Sequence, residues 1–239
     1  MDIMILAGGR GTRLGDTGKQ IPKALVQVAG KPLIQHVMDA FEPGDAHRIF
    51  ILGGYKVAEM HRYFRDTWPY RIGKNGQLEN VLSGHDFVIL DTGYFTETGG
   101  RIRMAANAIR DLSNPFMITY CDGLCNVDMD KLERIHADTG SKITLTAVKP
   151  ISRFGDLVLD GYAVTGFREK QQQISWINGG YMLMNHDAIP TTNTPLENHL
   201  RAASEAGSLA AHQHAGFWTC VDAERDIEAA EAWIKAGRP

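Results

Sequence analysis

The chain has 239 residues, 44% of them hydrophobic, with 25 basic and 28 acidic residues and a net charge of −3. This length suits one large α/β domain with a substantial buried core. No basic block or stripe is present, which argues against nucleic acid as a partner. We expect neither a signal peptide nor a membrane span, because no apolar run is long enough. The three cysteines form no disulfide pattern, which favours a cytoplasmic location.

Apolar runs that stop at glycines alternate with amphipathic stretches over the first two thirds of the chain. Such runs are typical of buried parallel strands that lead into loops, and the stretches have helical spacing. The alternation predicts an α/β fold with a doubly wound, mostly parallel, Rossmann-like sheet. Predicted strands cover residues 3–7, 48–52, 87–90 and 115–120, and predicted helices cover residues 31–41, 56–65, 101–112 and 129–137.

The pattern changes after residue 141, where short strands separated by turns predominate. We therefore expect a single domain over residues 1–239, with a first part at about 1–140 and a smaller β-rich part at about 141–239. The polar segment 67–84 has no clear periodicity and is predicted to be a long loop or a lid. Further predicted strands cover residues 142–148, 157–159, 162–167 and 174–184, and further predicted helices cover residues 195–206 and 223–235.

The most informative motif is the glycine-rich loop that follows the first strand, with the sequence LAGGRGTRL at residues 6–14. Glycines let the backbone approach an anion and expose its N–H groups. The Gly-Lys-Ser/Thr of a P-loop is absent, and Leu14 replaces the third glycine of a dinucleotide fingerprint, which disfavours a dehydrogenase. Arg13 and Lys23 add two cations that suit a triphosphate. The alternative is a glycine turn with solvated cations.

This loop, followed by Pro22-Lys23 and by the sequence GKPL at residues 30–33, resembles the sugar-1-phosphate nucleotidyltransferase family. The resemblance implies that Arg13 and Lys23 are the catalytic groups, which hold the triphosphate and stabilise the departing pyrophosphate. The family usually has Lys-Pro-Lys-Pro-Met here, so the residues around Lys23 differ. The loop residues that the resemblance assigns to the nucleotide are Leu6, Ala7, Gly8, Gly9, Gly11, Thr12 and Arg13.

Two aspartates stand at positions that the resemblance assigns to a metal. Asp122 follows a predicted strand, where a carboxylate faces the ligand crevice of an α/β sheet. Asp222 precedes the terminal helix and by itself indicates a helix N-cap. Their spacing alone does not pair them; the resemblance implies that both hold Mg²⁺, which prefers one or two carboxylates plus substrate phosphates. No CxxC motif indicates zinc, so we expect the cysteines to be buried thiols.

A second glycine motif indicates which branch of the family the chain resembles. The sequences DTG at residues 91–93 and TGGR at residues 98–101 resemble the glucose-1-phosphate cytidylyltransferases. Taken alone, they predict only a glycine turn that begins a helix. The resemblance favours CTP as the nucleotide, and it implies that Thr98, Gly99, Gly100 and Arg101 lie near the base or its phosphates.

Later segments resemble the acceptor site of the same branch. They are SRFG at residues 152–155, FREK at 167–170 and INGGY at 177–181. The resemblance implies that Glu169 and Asn178 hold sugar hydroxyls and Lys170 the acceptor phosphate, with Arg153, Gly155 and Gly179 nearby. Asp156 and Gln171 depart from the glucose enzymes, so the acceptor stays open between glucose 1-phosphate, another sugar phosphate and a non-sugar phosphate.

Together these motifs predict transfer of CMP from CTP to a small phosphorylated acceptor, with Mg²⁺ as cofactor and release of pyrophosphate. The resemblance places such an enzyme in the cytoplasm, in the synthesis of nucleotide sugars for polysaccharides, and leaves a homo-oligomer open. Two alternatives remain. One is a guanylyl- or other nucleotidyltransferase for a heptose phosphate or a non-sugar phosphate. The other is an inactive nucleotide-binding regulatory subunit.

Overall fold

The computed structural model describes residues 1–41, 48–67, 70–72, 78–82, 85–151, 155–169 and 175–236. Within these ranges the strands are β1 (Asp2–Ala7), β2 (Gln27–Val28), β3 (Lys31–Pro32), β4 (Arg48–Gly53), β5 (Tyr70–Ile72), β6 (Leu78–Leu82), β7 (His85–Asp91), β8 (Phe116–Tyr120), β9 (Gly123–Cys125), β10 (Ile143–Val148), β11 (Asp156–Asp160), β12 (Ala163–Arg168), β13 (Ile177–Met184), β14 (Leu209–Gln213) and β15 (Trp218–Cys220). The helices are α1 (Gly15–Gln20), α2 (Leu33–Met38), α3 (Val57–Thr67), α4 (Thr98–Ala108), α5 (Met129–Thr139), α6 (Leu196–Glu205) and α7 (Glu224–Lys235).

Nine strands form one sheet in the order β14-β10-β13-β8-β1-β4-β7-β6-β5. Strands β8, β1, β4 and β7 are parallel neighbours, whereas β13 runs antiparallel between β10 and β8. The predicted α/β class with a mostly parallel sheet is confirmed. The chain moves from β1 to β4 and β7 and then returns to β8 on the other side of β1. Ligands of such sheets bind at this reversal, beyond the carboxyl ends of the strands.

The central strand β1 is buried on both faces, as its uninterrupted apolar sequence predicts. Ile3 and Ile5 belong to a core that includes residues of α2, α3 and α5, and Met4 and Leu6 belong to a second core that includes residues of α4 and α6. Successive side chains of a strand point to opposite faces, so β1 supplies both cores at once. The glycine-rich loop therefore begins at a fixed point in the middle of the molecule.

The prediction of a long loop at residues 67–84 was wrong for the described part of that segment. Strands β5 and β6 lie there and extend the sheet beyond β7 with antiparallel pairing. Strand β5 is the edge strand and β6 is its neighbour, and short strands at or next to the edge of a sheet can carry polar residues, so they give little apolar periodicity. Residues 68–69, 73–77 and 83–84 lie outside the described residues. None of the described helices combines the length and apolar character that crossing a bilayer requires.

The second part of the chain, predicted to be β-rich, contributes strands to the main sheet and a separate hairpin. Strands β10, β13 and β14 continue the nine-stranded sheet, and β11 and β12 form a two-stranded antiparallel hairpin beside it. The helix predicted at residues 31–41 is shorter, because Lys31-Pro32 pairs with Gln27-Val28 as a small ladder before α2 begins. The division into a nucleotide part and an acceptor part stays a prediction.

An ion pair fastens the beginning of the sheet. Asp2 is buried, and its carboxylate accepts hydrogen bonds from Arg48 Nε (3.0 Å) and Nη2 (2.6 Å) and from the backbone N–H of Ser113 (2.9 Å). Burial opposes the charge of Asp2, but these hydrogen bonds outweigh it and lower the pKa of the carboxyl below its ordinary 3.8. The contacts join β1, β4 and the segment that leads into β8.

Replacing Asp2 with Asn should lower the free energy of unfolding by about 1–3 kcal/mol at pH 7, because the charge is lost and one of the two acceptor oxygens becomes an NH₂ donor that faces another donor. The folded-state pKa lies below the unfolded one, so this stabilisation is present above about pH 4 and is lost as the pH falls through the folded-state value. Urea unfolding at several pH values checks both statements.

The matched control is Asp187→Asn, which removes an exposed ion pair with Lys142 (2.8 Å) and should change stability by no more than about 0.5 kcal/mol. An equal loss of unfolding free energy in the two variants would contradict the proposed contribution of Asp2. So would a difference in unfolding free energy between wild type and Asp2→Asn that does not shrink at the lowest pH at which the wild type stays folded.

Candidate active site

The glycine-rich loop leaves β1 at the reversal point of the sheet. Gly11 has a φ of 60°, in the left-handed region that favours glycine. Its carbonyl accepts the N–H of Leu14 (3.0 Å), which closes a short 3₁₀ turn and buries the Leu14 side chain. Leu14 thus anchors the loop in the core at the position where a dinucleotide fingerprint has glycine. Ala7 is also buried with its side chain in the core, so it supports the loop from below.

The buried guanidinium of Arg101 holds this loop against neighbouring strand ends. Its Nη1 donates to the carbonyl of Gly53 (2.9 Å), the hydroxyl of Thr92 (2.6 Å) and the carbonyl of Gly93 (2.9 Å), and its Nη2 donates to the carbonyl of Gly8 (3.3 Å). Burial lowers the pKa of Arg101 despite the opposing carboxylates of Asp91 and Glu97. Arg101 lines the cleft, but its hydrogen bonds go to the protein, so in this structure it positions the loop.

Two residues of the TGGR motif do not line the cleft. The N–H of Gly99 donates to the carbonyl of Thr194 (3.0 Å), and a Cβ on Gly100 would collide with the side-chain oxygen of Asn193. These glycines allow α4 to pack closely against the segment that precedes α6. Thr98 does line the cleft, and its hydroxyl accepts the N–H of Leu196 (2.7 Å). Thr98 and Arg101, the first and last residues of the motif, therefore face the place where the resemblance expects the nucleotide, whereas the two glycines between them do not.

The two predicted cations and the two predicted metal ligands meet in one cluster. Lys23 Nζ donates to Asp122 Oδ2 (2.6 Å) and to Asp222 Oδ1 (3.0 Å). Arg13 Nη1 donates to Asp222 Oδ2 (2.6 Å). The Lys23 side chain is only 9% exposed. Burial opposes its charge, yet Asp122 and Asp222 raise the pKa of Lys23, so it stays protonated. The hydrogen bonds from Arg13 and Lys23 lower the pKa of Asp222 although burial opposes this.

A short ribbon brings the two aspartates together. Strands β9 and β15 pair antiparallel with Gly123 opposite Cys220, and the N–H of Val221 donates to the carbonyl of Asp122 (2.9 Å). Asp122 therefore precedes one strand of the ribbon, and Asp222 follows the other. The Asp226 carboxylate accepts the N–H groups of Asp222 (3.0 Å) and Ala223 (2.8 Å). The N-cap alternative for Asp222 is thus wrong, because Asp226 satisfies the beginning of α7.

The arrangement fits a hard divalent cation. The carboxylates of Asp122 and Asp222 converge on one positive group, the Lys23 ammonium, and carboxylate oxygens are ligands that Mg²⁺ prefers. The part of the chain that the structure describes contains no cluster of three or more His, Cys, Asp or Glu side chains suited to a metal. Substrate phosphates or water would have to supply the remaining ligands, as is usual for Mg²⁺.

The cysteines beside the cluster are free thiols, as predicted, with Cys121 and Cys125 buried and Cys220 half-buried. Burial raises the pKa of each thiol to about 12, so all three are protonated at neutral pH. His214 is buried, with Nε2 lying 3.1 Å from the carbonyl of Phe217 and 3.5 Å from Cys125 Sγ. These contacts indicate a structural role for His214.

The cluster and the loop line one cleft of about 340 Å³. Its lining also includes Thr96, Glu97, Tyr120 and Cys121, which the sequence did not predict. The Tyr120 hydroxyl donates to Glu197 Oε1 (3.1 Å), which holds the Tyr120 side chain. The N–H of Glu97 donates to Asn193 Oδ1 (2.9 Å), which holds the backbone of Glu97. Tyr120 is the last residue of the strand that leads to Asp122, and this position could have predicted that it lines the cleft. No local sequence pattern predicts that Glu97 reaches the cleft.

Of the residues predicted to bind the acceptor, those that the structure describes lie outside this lining. Asn178 Oδ1 accepts a hydrogen bond from the N–H of Gly180 (2.9 Å). Trp218 Nε1 donates a hydrogen bond to the carbonyl of the buried Gly179 (2.7 Å). Trp218 thereby links β13 to the ribbon that carries Asp222. Gly155 and Glu169 flank the β11–β12 hairpin, and Glu169 is exposed. Arg153 and Lys170 lie outside the described residues.

Comparison with known proteins identifies the family. A family model described as "Nucleotidyl transferase" matches residues 3–215. A Bacillus subtilis (strain 168) protein named "Probable glucose-1-phosphate cytidylyltransferase" is 33% identical over 240 residues, covering 95% of this chain and 93% of that protein. The glucose-1-phosphate cytidylyltransferase of Salmonella typhi is 32% identical over 253 residues, covering 100% and 98%.

More distant proteins share the fold or part of the sequence. The structure of HddC from Yersinia pseudotuberculosis has a TM-score of 0.70 and 24% identity, covering 98% of this chain and 99% of that one. Catalytic subunits of mannose-1-phosphate guanylyltransferases match too; that of Drosophila melanogaster is 25% identical, and the match covers 94% of this chain and 60% of that protein. The family model and the two cytidylyltransferase relatives cover nearly the whole chain. The chain therefore belongs to the sugar-1-phosphate nucleotidyltransferase family and is a nucleotidyltransferase.

Proposed function

We propose that the protein transfers CMP from CTP to a sugar 1-phosphate or a related small phosphorylated acceptor, with Mg²⁺ as cofactor and pyrophosphate as second product. The observation that carries this proposal is the convergence of Lys23, Arg13, Asp122 and Asp222 beside the glycine-rich loop in one cleft. Full-length similarity to two glucose-1-phosphate cytidylyltransferases supports the substrate class. A regulatory subunit without activity is disfavoured, since all four charged groups are present.

The proposed chemistry is a single in-line displacement. A phosphate oxygen of the acceptor attacks the α-phosphorus of CTP and forms the new P–O bond. The bond from the α-phosphorus to the oxygen that bridges to the β-phosphorus breaks, and pyrophosphate leaves with the electron pair. An acceptor phosphate is already anionic, so no general base is needed. The loop N–H groups, Arg13 and Lys23 would hold the phosphates and stabilise the charge that develops on pyrophosphate.

Binding of the substrates must rearrange the charge cluster. Without ligands, the two cations and the two carboxylates neutralise one another within hydrogen-bonding distance. A bound Mg²⁺ would neutralise phosphate charge and is the natural partner for Asp122 and Asp222. Lys23 and Arg13 would then be free to donate to phosphate oxygens. Each charged group of the proposed complex thus has a protein partner in the structure that a substrate phosphate or Mg²⁺ would replace.

The proposed preference for CTP is supported by Glu97, which belongs to the lining of the cleft. Glu97 is exposed there beside Thr96 and Thr98, and among the described residues its carboxylate has no hydrogen-bond donor. A carboxylate accepts from the exocyclic amine of cytosine and repels the carbonyl that uracil has at the same position. Glu97 would therefore distinguish CTP from UTP. A guanylyltransferase is the second candidate, supported by the guanylyltransferase relatives.

The first prediction tests the metal ligands. Asp222→Asn should keep the fold and lose most of its turnover, because it removes a charged oxygen ligand without changing the shape of the side chain. Pyrophosphate release at increasing Mg²⁺ concentrations measures this. Asp128→Asn is the control: Asp128 caps α5 through the N–H of Lys131 (2.9 Å), a role that Asn also fills. Near-normal turnover of Asp222→Asn at saturating Mg²⁺ would remove Asp222 from the metal site.

The second prediction tests Lys23. Lys23→Ala should lower kcat/KM for the nucleotide roughly 30- to 1000-fold. This factor corresponds to a loss of about 2–4 kcal/mol of transition-state stabilisation. Lys31→Ala is the control, because Lys31 is an exposed lysine paired with Asp39 (3.1 Å) away from the cleft. Steady-state kinetics and thermal unfolding are measured on both variants. A variant of Lys23 that loses only thermal stability would show that this lysine is structural.

The third prediction concerns the base. Calorimetric titration of CTP, UTP, GTP, ATP and dTTP with Mg²⁺ should give the tightest binding for CTP, with a mismatched base costing about 1–3 kcal/mol. Glu97→Gln should narrow the difference between CTP and UTP, because a side-chain amide can either accept or donate. Glu133→Gln on the exposed face of α5 is the control. Tighter binding of GTP or UTP than of CTP would overturn the proposed preference for cytosine but would not contradict nucleotidyltransferase activity.

A further inference from the structure

A lysine lies over an exposed tryptophan where β10 ends and β13 begins. The Nζ atom of Lys149 is 4.7 Å from the centroid of the Trp176 ring. Val148 is opposite Ile177 in the antiparallel ladder of β10 and β13, so Lys149 is the next residue along and stands opposite Trp176. Side chains directly opposite one another share a face of a sheet. We call Lys149 and Trp176 the lysine–tryptophan pair.

The lysine–tryptophan pair lies at the edge of the sheet where the cleft opens. Strand β13 runs antiparallel to β8, so its beginning extends beyond the carboxyl end of β8, which leads to Asp122. The two segments are close there, because a Cβ on Gly123 would lie 3.7 Å from the carbonyl oxygen of Gly179. Trp176 precedes Gly179 by three residues, which is roughly 10 Å along an extended chain. A phosphorylated monosaccharide can span the distance from the charge cluster to this ring.

Asn178, which the family resemblance assigns to sugar hydroxyls, lies between the cleft and the pair. It is opposite Ala147, and the pairing is regular from there to the end of the ladder. Residues two apart on a strand point to the same face, so Lys149 shares the face of Ala147 and of its partner Asn178. The contact with Lys149 places the Trp176 ring on this face as well. An amide and an aromatic ring therefore follow one another along one side of the same strand.

Neither member of the pair is used up by contacts within the protein. Trp176 is 41% exposed although Lys149 covers part of its ring. Within the described ranges no carboxylate forms an ion pair with Lys149, whose contact is the ring itself. Tryptophan is highly buried on average, and an indole that a cation holds at the mouth of a polar cleft is a common element of ligand sites.

We propose that Trp176 is a stacking platform for the ring of a pyranose phosphate acceptor and that Lys149 positions the indole; the inference rests on the proposed transfer to a phosphorylated acceptor. The face of an indole is negative and attracts the partly positive C–H groups on one side of a pyranose. The hydroxyls at the rim of the sugar stay free to bond to the amide of Asn178. An acyclic phosphate has no flat C–H face, so the pair selects cyclic acceptors over acyclic ones.

Binding measurements with cyclic and acyclic phosphates test this selection. Glucose, mannose and galactose 1-phosphate and glycerol 3-phosphate are titrated calorimetrically with Mg²⁺, with and without a CTP analogue that cannot react. At least one sugar phosphate should bind the wild type more tightly than glycerol 3-phosphate. Trp176→Ala should weaken the binding of that sugar phosphate roughly 3- to 10-fold and leave glycerol 3-phosphate unchanged. Trp176→Phe retains an aromatic face and should retain most of the affinity.

Two further variants separate the ring from its surroundings. Tyr162→Ala is the matched control, because it also removes an exposed aromatic side chain, at the turn between β11 and β12, and it should bind the sugar phosphate as the wild type does. Lys149→Met retains the apolar stem and removes the charge. It should weaken sugar phosphate binding in the wild type but not in Trp176→Ala, because Lys149 acts through the ring.

Steady-state kinetics should show the same division: Trp176→Ala raises KM for the sugar phosphate and changes kcat and the nucleotide KM little. The proposal is overturned if no sugar phosphate binds better than glycerol 3-phosphate, or if folded Trp176→Ala binds the sugar phosphate normally or loses both ligands equally. An equal effect of Lys149→Met with and without Trp176 would remove Lys149 from it. Absence of pyrophosphate release with every nucleotide would contradict the proposed function, whereas the binding measurements would still decide the role of Trp176.

Discussion

One ammonium group determines how the charged site is assembled. Lys23 Nζ is bonded to two carboxylates that lie 99 and 199 residues further along the chain. A buried lysine without partners would lose its proton or turn towards water, and two neighbouring carboxylates without a cation would repel each other. Each group therefore permits the others to remain charged and close. The cluster is held together by the protein's own side chains, so its geometry follows from the fold.

Arg101 is a second buried cation with a different task. Its acceptors are backbone or side-chain oxygens at or just beyond the carboxyl ends of β1, β4 and β7. The guanidinium fills the space that side chains would need at Gly8 and Gly54. Gly11, by contrast, is required for its left-handed backbone. Gly8 and Gly54 are thus needed for space and Gly11 for its backbone conformation. Arg101, which the TGGR motif associates with the nucleotide, uses its hydrogen bonds to hold the backbone.

Local sequence patterns predicted the strands and helices whose positions depend on the burial of side chains close together in sequence. The apolar run of β1 and the amphipathic periodicity of α5 lie close to their observed positions, because both follow from which side chains must be buried. Strands β5 and β6 were missed, since short strands at or next to the edge of a sheet can be polar. The close approach that Gly99 and Gly100 make to residues 193–194 depends on chain segments far apart in sequence. The pairing of Asp122 with Asp222 came from a family resemblance and not from spacing. Glu97 has no sequence signal, because only tertiary structure brings it to the cleft.

The ribbon of β9 and β15 also sets the order in which the site becomes complete during synthesis. The glycine-rich loop and Lys23 leave the ribosome before Asp122. Asp222 follows only after β15, which pairs with β9, and just before α7, which packs Ile227 and Ile234 against the core. A nascent chain that stops before this point has one carboxylate for Lys23 and none for Arg13. Truncated products of translation therefore lack the full charge cluster, however well their first two thirds have folded.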